Sequence, residues 1–238
     1  MINAIKYKMY VLFHNLSTYV ILLGNILMSL ITMAETANED EYENTFNLFG
    51  GLFSAEFGGV ILVLLIILTA IFMTSQYRHG YVKSLAANMS RNVLFISDAV
   101  MYVIMFVILS LEAMIACILF APLYNYEVNF GNPTVFLRNL AQAFVIYCGI
   151  EMLVILLCHL CRKITAPLVA GLVYAFGVPA SFLFIIDNAA GTDICRYDLS
   201  YLLYFGLEEN GIINIFVALV YVVVFLALSY FVVRKKDI

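Results

Sequence analysis

Long continuous apolar runs dominate this chain and decide what it can fold into. Residues 60–72 are apolar except for one threonine, and residues 93–120 carry charge only at Asp98 and Glu112. A membrane-crossing helix needs about 20 mainly apolar residues, whereas the strands of a membrane β-barrel read as short alternating segments. Because a backbone in lipid must satisfy its own hydrogen bonds, these unbroken runs predict transmembrane α-helices.

The composition supports a membrane environment for the whole chain. Hydrophobic residues make up 64% of the 238 residues and charged residues 12%, whereas a soluble domain carries about 25% charged residues. A water-soluble core of this size cannot bury so much apolar side chain. We therefore expect an all-α, polytopic membrane protein in which residues 1–238 form a single domain.

Basic residues indicate how the chain is oriented. Ten of the twelve Lys and Arg residues fall into four groups: Lys6 and Lys8; Arg78, Lys83 and Arg91; Arg162 and Lys163; and Arg234, Lys235 and Lys236. Basic loops stay on the cytoplasmic side of a membrane. With the four groups inside, six spans follow, and both termini lie in the cytoplasm of a multi-pass plasma-membrane protein.

The expected spans are residues 17–33, 53–73, 93–121, 135–160, 166–186 and 212–233. Asn132 or Thr134 is expected to cap the fourth span, and Thr165 the fifth. Pro179 should kink the fifth span. The stretch 187–211 is too aromatic for a solvated loop, so we expect short helices in the outer leaflet there.

The N-terminal segment, residues 1–15, is predicted to be an amphipathic helix at the inner membrane surface. Its apolar residues recur every three or four positions, and they are Ile2, Ile5, Met9, Leu12 and Leu16. Lys6 and Lys8 lie off that face, which is the arrangement expected of a helix lying in the lipid interface.

Two glutamates, Glu112 and Glu151, fall within the apolar runs. Each lies about 15 Å from one end of its span, counting ten residues at 1.5 Å each, which places both near the bilayer midplane. A charged group at that depth costs about 2.5–3.5 kcal/mol on insertion scales. Two interpretations remain open: a carboxylate that contacts a substrate or ion in the pathway, and a neutral glutamate that bonds across a helix contact.

The sequence offers no catalytic constellation. His14, His79 and His159 lie in separate segments without metal-ligand spacing, and no phosphate-binding glycine loop is present. Cys158 and Cys161 flank His159, but a fourth metal ligand is not evident. We expect no bound metal or cofactor, no enzymatic activity and no nucleic-acid partner.

A basic polar island, residues 74–92, separates the second and third spans. Apolar residues recur at helical spacing through the island and into the third span: Val82, Leu85, Ala86, Met89 and Val93. Such a short amphipathic helix can lie on the lipid surface, or it can present its end to a cytosolic partner.

The island resembles the inner loop of the type-2 ABC-exporter permease family. Gly80, Lys83, Leu85, Ser90 and Arg91 match the order of that family's pattern. Two positions depart from it, because the polar run 76–78 replaces an acidic residue and Tyr81 replaces a threonine. The six spans, the amphipathic start and the aromatic stretch before the last span also fit the family.

The resemblance implies that the island is a cytoplasmic coupling helix that docks on a separate ABC ATPase subunit. The residues implied in this contact are Arg78, His79, Gly80, Tyr81, Val82, Lys83, Ser84, Leu85 and Arg91. Two ATPase copies, holding ATP and Mg²⁺, would drive a pair of permease subunits in a bacterial plasma membrane. The substrate would be a hydrophobic or amphipathic peptide such as a toxin or lantibiotic, with Glu112 and Glu151 in its pathway.

Two other classes of function compete with this one. A proton- or ion-coupled secondary transporter could operate through protonation of Glu112 and Glu151. A membrane enzyme is disfavoured because no catalytic arrangement can be assembled.

Overall fold

The computed structural model describes residues 2–39, 45–47, 55–78, 90–125, 127–129, 132–205 and 211–235. In these ranges the protein is helical apart from two three-residue strands and short connections. The helices are α1 (Ile2–Phe13), α2 (Leu16–Glu39), α3 (Ala55–Arg78), α4 (Arg91–Phe120), α5 (Pro133–Cys161), α6 (Thr165–Ala175), α7 (Val178–Ala190), α8 (Leu199–Phe205) and α9 (Gly211–Lys235). The strands are β1 (Thr45–Asn47) and β2 (Glu127–Asn129).

Five of the described helices, α2, α3, α4, α5 and α9, are long and apolar enough to cross a membrane. Helices α6 and α7 pass the same test only together, and they make six spans if the bent pair counts as one. The prediction of a helical membrane protein is thus confirmed, and the residues of the fifth expected span form the bent pair α6 and α7.

Helix α5 forms the centre of the bundle. Of its apolar stretch 61% is buried within the protein, against 11% for α9. It contacts α3, α6, α8 and α9, while α2 packs against α3 and α4. Close approach of α6 depends on Gly171, where a Cβ atom would meet Ile66 at 2.6 Å and Val154 at 2.8 Å. A larger residue at position 171 would push α6 away from α3 and α5.

The fifth span breaks between α6 and α7, which meet at an angle of 52°. Gly177 adopts a left-handed conformation, φ 68°, and Pro179 lies in the first turn of α7. The hydroxyl of Tyr204 on α8 donates to the carbonyl of Ala175 at 2.8 Å. The kink expected from Pro179 is confirmed, although the chain turns at Gly177, whose left-handed conformation favours glycine. The break leaves the carbonyl of Ala175 without its helical partner, and Tyr204 of α8 supplies the missing hydrogen bond.

Helix α8 confirms the expectation of short helices between the fifth and sixth spans. Ser200 of α8 accepts a hydrogen bond from the backbone N–H of Ala180 at 2.9 Å, and its hydroxyl donates to Asp198. Asp187, near the end of α7, accepts from the Thr192 hydroxyl at 2.5 Å and from the Cys195 N–H at 2.7 Å. These bonds fix the whole segment against the second half of the broken span.

Two predictions on helix starts have opposite outcomes. Asn132 caps α5, because its side chain accepts from the N–H of Thr134 at 2.9 Å and Pro133 follows in the first turn. The Thr165 cap was wrong: Thr165 is the first residue of α6, and the capping position belongs to Ile164, which offers no side-chain hydrogen bond.

A small parallel sheet, which the sequence did not predict, joins two connections. Thr45 pairs with Glu127 and Asn47 with Asn129. These strands follow α2 and α4, so the C-terminal ends of both helices lie at the same end of the bundle. This agrees with the expectation that both loops share one side of the membrane.

The N-terminal helix is present, but its buried face differs from the predicted one. Ala4, Lys8 and Leu12 are the buried residues of α1, and Ile2 is 67% exposed. The helix packs against α4. Lys8 was expected off the apolar face, and the expectation was wrong because an acidic partner on α4 draws it inward. We call the end of the bundle that carries Lys8, Arg162 and Arg234 the basic end.

Candidate functional site

Glu151 lies in the middle of α5 and is completely buried, with an exposed fraction of 0%. Its helix is apolar around most of its circumference, so the carboxyl group is carried into the centre of the bundle. Neither carboxyl oxygen makes a hydrogen bond of standard geometry with a described residue. A buried carboxyl group that is so weakly bonded is costly, and such groups are uncommon unless they serve a purpose.

Two further polar side chains approach Glu151 from neighbouring helices. Thr69 of α3 lies beside the carboxyl group, and Tyr102 of α4 lies within electrostatic range of it. Their hydroxyl oxygens are also buried and make no hydrogen bond of standard geometry with described protein groups. We call Thr69, Tyr102 and Glu151 the central polar cluster; three helices each contribute one member.

Aromatic packing fixes the position of Tyr102 in this cluster. Its ring stacks on Phe144 with centroids 6.3 Å apart, and Phe106 contacts both Phe144 and Tyr147 at 5.2 and 5.9 Å. The rings shield the cluster on the side away from the basic end. Chemically, the cluster offers oxygen atoms that can hold a proton or a small cation, while the described residues contain no group of three His, Cys, Asp or Glu suited to a metal ion.

Glu112 lies in a different environment, at the contact between α4 and α2. Asn25 of α2 donates its side-chain N–H to Glu112 Oε2 at 3.1 Å and to the carbonyl of Leu109 at 2.9 Å. Asn25 is almost fully buried, whereas Glu112 is half-buried. A groove of about 390 Å³ passes beside the carboxyl group.

The two predicted pathway residues therefore occupy separate sites. Glu151 faces α3 and α4 at the level of Tyr102, and Glu112 follows Tyr102 by ten residues, or about 15 Å along α4. Glu112 is bonded to α2 through Asn25. The two carboxyl groups are therefore not in contact with each other.

Most of the residues implied in coupling fall outside the described part of the chain. These are His79, Gly80, Tyr81, Val82, Lys83, Ser84 and Leu85. Arg78 is the last residue of α3 and Arg91 the first residue of α4, so these two mark where the connection leaves and re-enters the bundle. Ser90, next to Arg91, caps α4 by accepting from the N–H of Val93 at 3.4 Å.

Sequence reasoning missed an ion pair on the α4 side of this connection. Lys8 of α1 pairs with Asp98 of α4 and also donates to the carbonyl of Leu94 at 3.2 Å. Both side chains are buried, with exposed fractions of 2% and 9%. The available signal was Asp98 itself, because an acidic residue inside a span requires a partner and Lys8 is the nearest basic residue preceding the first span.

A second missed contact lies on the α3 side. The Tyr77 hydroxyl, one residue before the end of α3, is 2.5 Å from Nδ1 of His159 on α5. The guanidinium of Arg162 lies over the Tyr77 ring, 5.7 Å from its centroid. Cation–π pairs of this geometry stabilise by about 0.5–1 kcal/mol at exposed sites. The end of α3 is thus fastened to the end of α5.

Comparison of the chain with known protein families, with curated proteins and with solved structures found no match.

Proposed function

We propose that this protein is the membrane-spanning subunit of an ATP-driven ABC exporter, which moves a hydrophobic or amphipathic substrate out of the cell or the membrane. One observation carries the proposal: both ends of the connection between α3 and α4 are fastened to other helices. The sequence of that connection has the family resemblance described above, and its fastenings supply a route for mechanical coupling.

The route on one side runs from α3 into the centre of the bundle. The Tyr77 hydroxyl on α3 bonds to His159 on α5. Tyr77 is half-buried and His159 is buried. A displacement of the connection at Arg78 would pull on α5, which carries Glu151. On the other side, a displacement at Arg91 would move the start of α4 and, through Asp98 and Lys8, the helix α1.

In this mechanism the chain performs no chemistry itself. Two copies of an ABC ATPase would bind ATP and Mg²⁺, close on one another and push on residues 79–89 of two permease copies. Packed helices rearrange between discrete states rather than bending continuously, so the push would alternate the exposure of a pathway between the bundles. The basic end would face the cytoplasm of a bacterial cell, with both termini on that side.

Charge reversal in the connection tests this proposal. The double variant Lys83→Glu and Arg91→Glu should reduce capture of an ABC ATPase by the tagged protein about tenfold or more, because like charges at an interface are strongly unfavourable. Capture would be measured by mild-detergent pull-down and quantitative mass spectrometry. The matched control is Lys163→Glu, an exposed basic residue in a different connection at the same end. Failure of the wild type to capture any ABC ATPase would contradict the proposal.

A proton- or ion-coupled secondary transporter is the second candidate, and the central polar cluster favours it. A completely buried carboxyl group beside the hydroxyl groups of Thr69 and Tyr102 can bind and release a proton. If this candidate is correct, Glu151→Gln abolishes transport of the coupling ion into liposomes while the melting temperature stays the same. Transport driven by a proton gradient in the absence of ATP would favour this candidate over the exporter, and Glu112→Gln would show whether the second carboxylate takes part.

A further inference from the structure

A groove on the outside of the bundle, between α2 and α4, contains the half-buried Glu112. Its volume is about 390 Å³, within the usual range for small-molecule sites. Leu111, Ile115 and Leu119 on its wall are 52%, 54% and 67% exposed, so the groove opens sideways to the surrounding lipid. The other lining residues are Ile26, Ile108, Ala116 and Phe120.

Glu112 is the single charged side chain among the residues that line this groove. A carboxylate facing lipid is unfavourable, and such residues are rare except where they meet a pathway or a partner. Within the described part of the protein, its hydrogen-bond partner is Asn25, which holds one carboxylate oxygen. No described residue donates a hydrogen bond to its other oxygen, Oε1.

Asn25 holds the carboxyl group of Glu112 in a defined position. It is only 1% exposed, and its side-chain N–H group bonds to a backbone carbonyl and to Glu112 at the same time. The amide therefore fixes the carboxylate at one place on the groove wall. An amide N–H also stabilises a carboxylate by a charge-assisted hydrogen bond.

We propose that this groove binds lipophilic monocations that enter it from the membrane, with the apolar body on the groove wall and the positive charge on Glu112. The chemistry disfavours ligands of other charge: an anion would meet a carboxylate, and a strongly hydrated divalent ion would find one carboxylate and an apolar wall. If the groove is a substrate site for export, that role rests on the function proposed above. Binding of a lipophilic cation to the groove does not depend on it.

Tetraphenylphosphonium is a suitable probe because tetraphenylborate has nearly the same shape and the opposite charge. The full-length protein would be placed in phosphatidylcholine nanodiscs without an ATPase, and binding measured by equilibrium dialysis against empty nanodiscs. We expect saturable binding of the cation and none of the anion. Glu112→Gln should weaken binding of the cation about tenfold or more, because a charge-assisted contact is lost.

Three further variants make the result specific to the groove. Ile115→Trp should block binding by filling the groove, whereas Val107→Trp, which places the same side chain on an exposed part of α4 outside the lining set, should not. Asp193→Asn, which changes an exposed carboxylate outside the groove, should bind the cation as the wild type does.

Equal binding of the cation by the wild type and Glu112→Gln would overturn the proposal, as would equal binding of cation and anion. Native mass spectrometry that finds a phospholipid retained at saturating tetraphenylphosphonium would assign the groove to lipid and would also overturn it. Because no ATPase is present, these outcomes are independent of whether the chain is an exporter. Loss of ATPase capture with intact cation binding would remove the export function and leave the site.

Discussion

Lys8 and Asp98 form an ion pair inside the protein, and its stability depends on both partners being present. Breaking a buried pair by removing one partner typically costs about 3–5 kcal/mol, because the remaining charge is stranded. Replacing both partners with apolar residues is often neutral. The pair therefore positions α1 against α4 more than it stabilises the fold.

Lys8→Ala should lower the melting temperature in detergent by roughly 6–20 °C, from that cost and about 2–4 °C per kcal/mol. The control is Lys6→Ala, an exposed lysine on the same helix, which should change little. The double variant Lys8→Met and Asp98→Leu should recover most of the loss. A melting temperature of Lys8→Ala equal to that of the wild type would show that the pair is not formed.

At this scale the sequence reveals which residues are unusual, but not which neighbours they meet. Glu112 and Glu151 were both identified as intramembrane carboxylates, yet periodicity gives no indication that Asn25 binds one of them and that Thr69 faces the other. The face of α1 was misassigned because apolar spacing treats every lysine as a surface residue, whereas Lys8 has an acidic partner 90 positions away.

Among the elements of the fold, the break between α6 and α7 is the most sensitive to substitution. Gly177 and Gly191 share the same φ of 68°, but only Gly177 has a close neighbour: a Cβ there would lie 2.9 Å from Cε2 of Tyr204, whereas none lies within 4 Å at Gly191. Substitutions at the two glycines therefore separate the energetic cost of backbone strain from the cost of steric contact.

Gly191→Ala should reduce the free energy of unfolding by about 1–2 kcal/mol, the cost of a left-handed non-glycine residue. Gly177→Ala should cost about 1–3 kcal/mol more, because the methyl group meets the Tyr204 ring. Denaturant titration of the two variants in the same detergent measures the difference. Equal losses would mean that the Tyr204 ring moves aside freely.

Prediction succeeded for this element where the residues carry their own conformational preference. Proline fixes φ and glycine tolerates left-handed angles, so a bend near Pro179 followed from the sequence. The contact that stabilises the bend, Tyr204 with Ala175, did not, because it joins residues 29 positions apart through tertiary packing.

For the whole molecule, the basic end is expected to face the cytoplasm with both termini. In a Cys161→Ser background, Lys6→Cys and Lys163→Cys should react with a membrane-impermeant maleimide only when the cytoplasmic face is accessible. Asn188→Cys and Asp193→Cys, exposed at the opposite end, should react in intact cells. Labelling of Lys6→Cys and Asp193→Cys from the same side would rule out this topology.

The positions of the long helices could be read from the apolar runs, because a backbone in lipid must satisfy its own hydrogen bonds within a helix. The pairing of β1 with β2 could not, because three-residue strands in polar connections carry no periodic pattern. The centre of the bundle was equally hidden: α5 and α9 are both strongly apolar in sequence, but only α5 is enclosed by other helices.

The pairing of α1 with α4 also governs the order of events during synthesis. Lys8 leaves the ribosome 90 residues before Asp98, a delay of roughly 5–20 s at elongation rates of about 5–20 residues per second. During that interval α1 lacks its partner on α4 and can contact only α2. Helix α1 therefore reaches its final place only after α4 has been made.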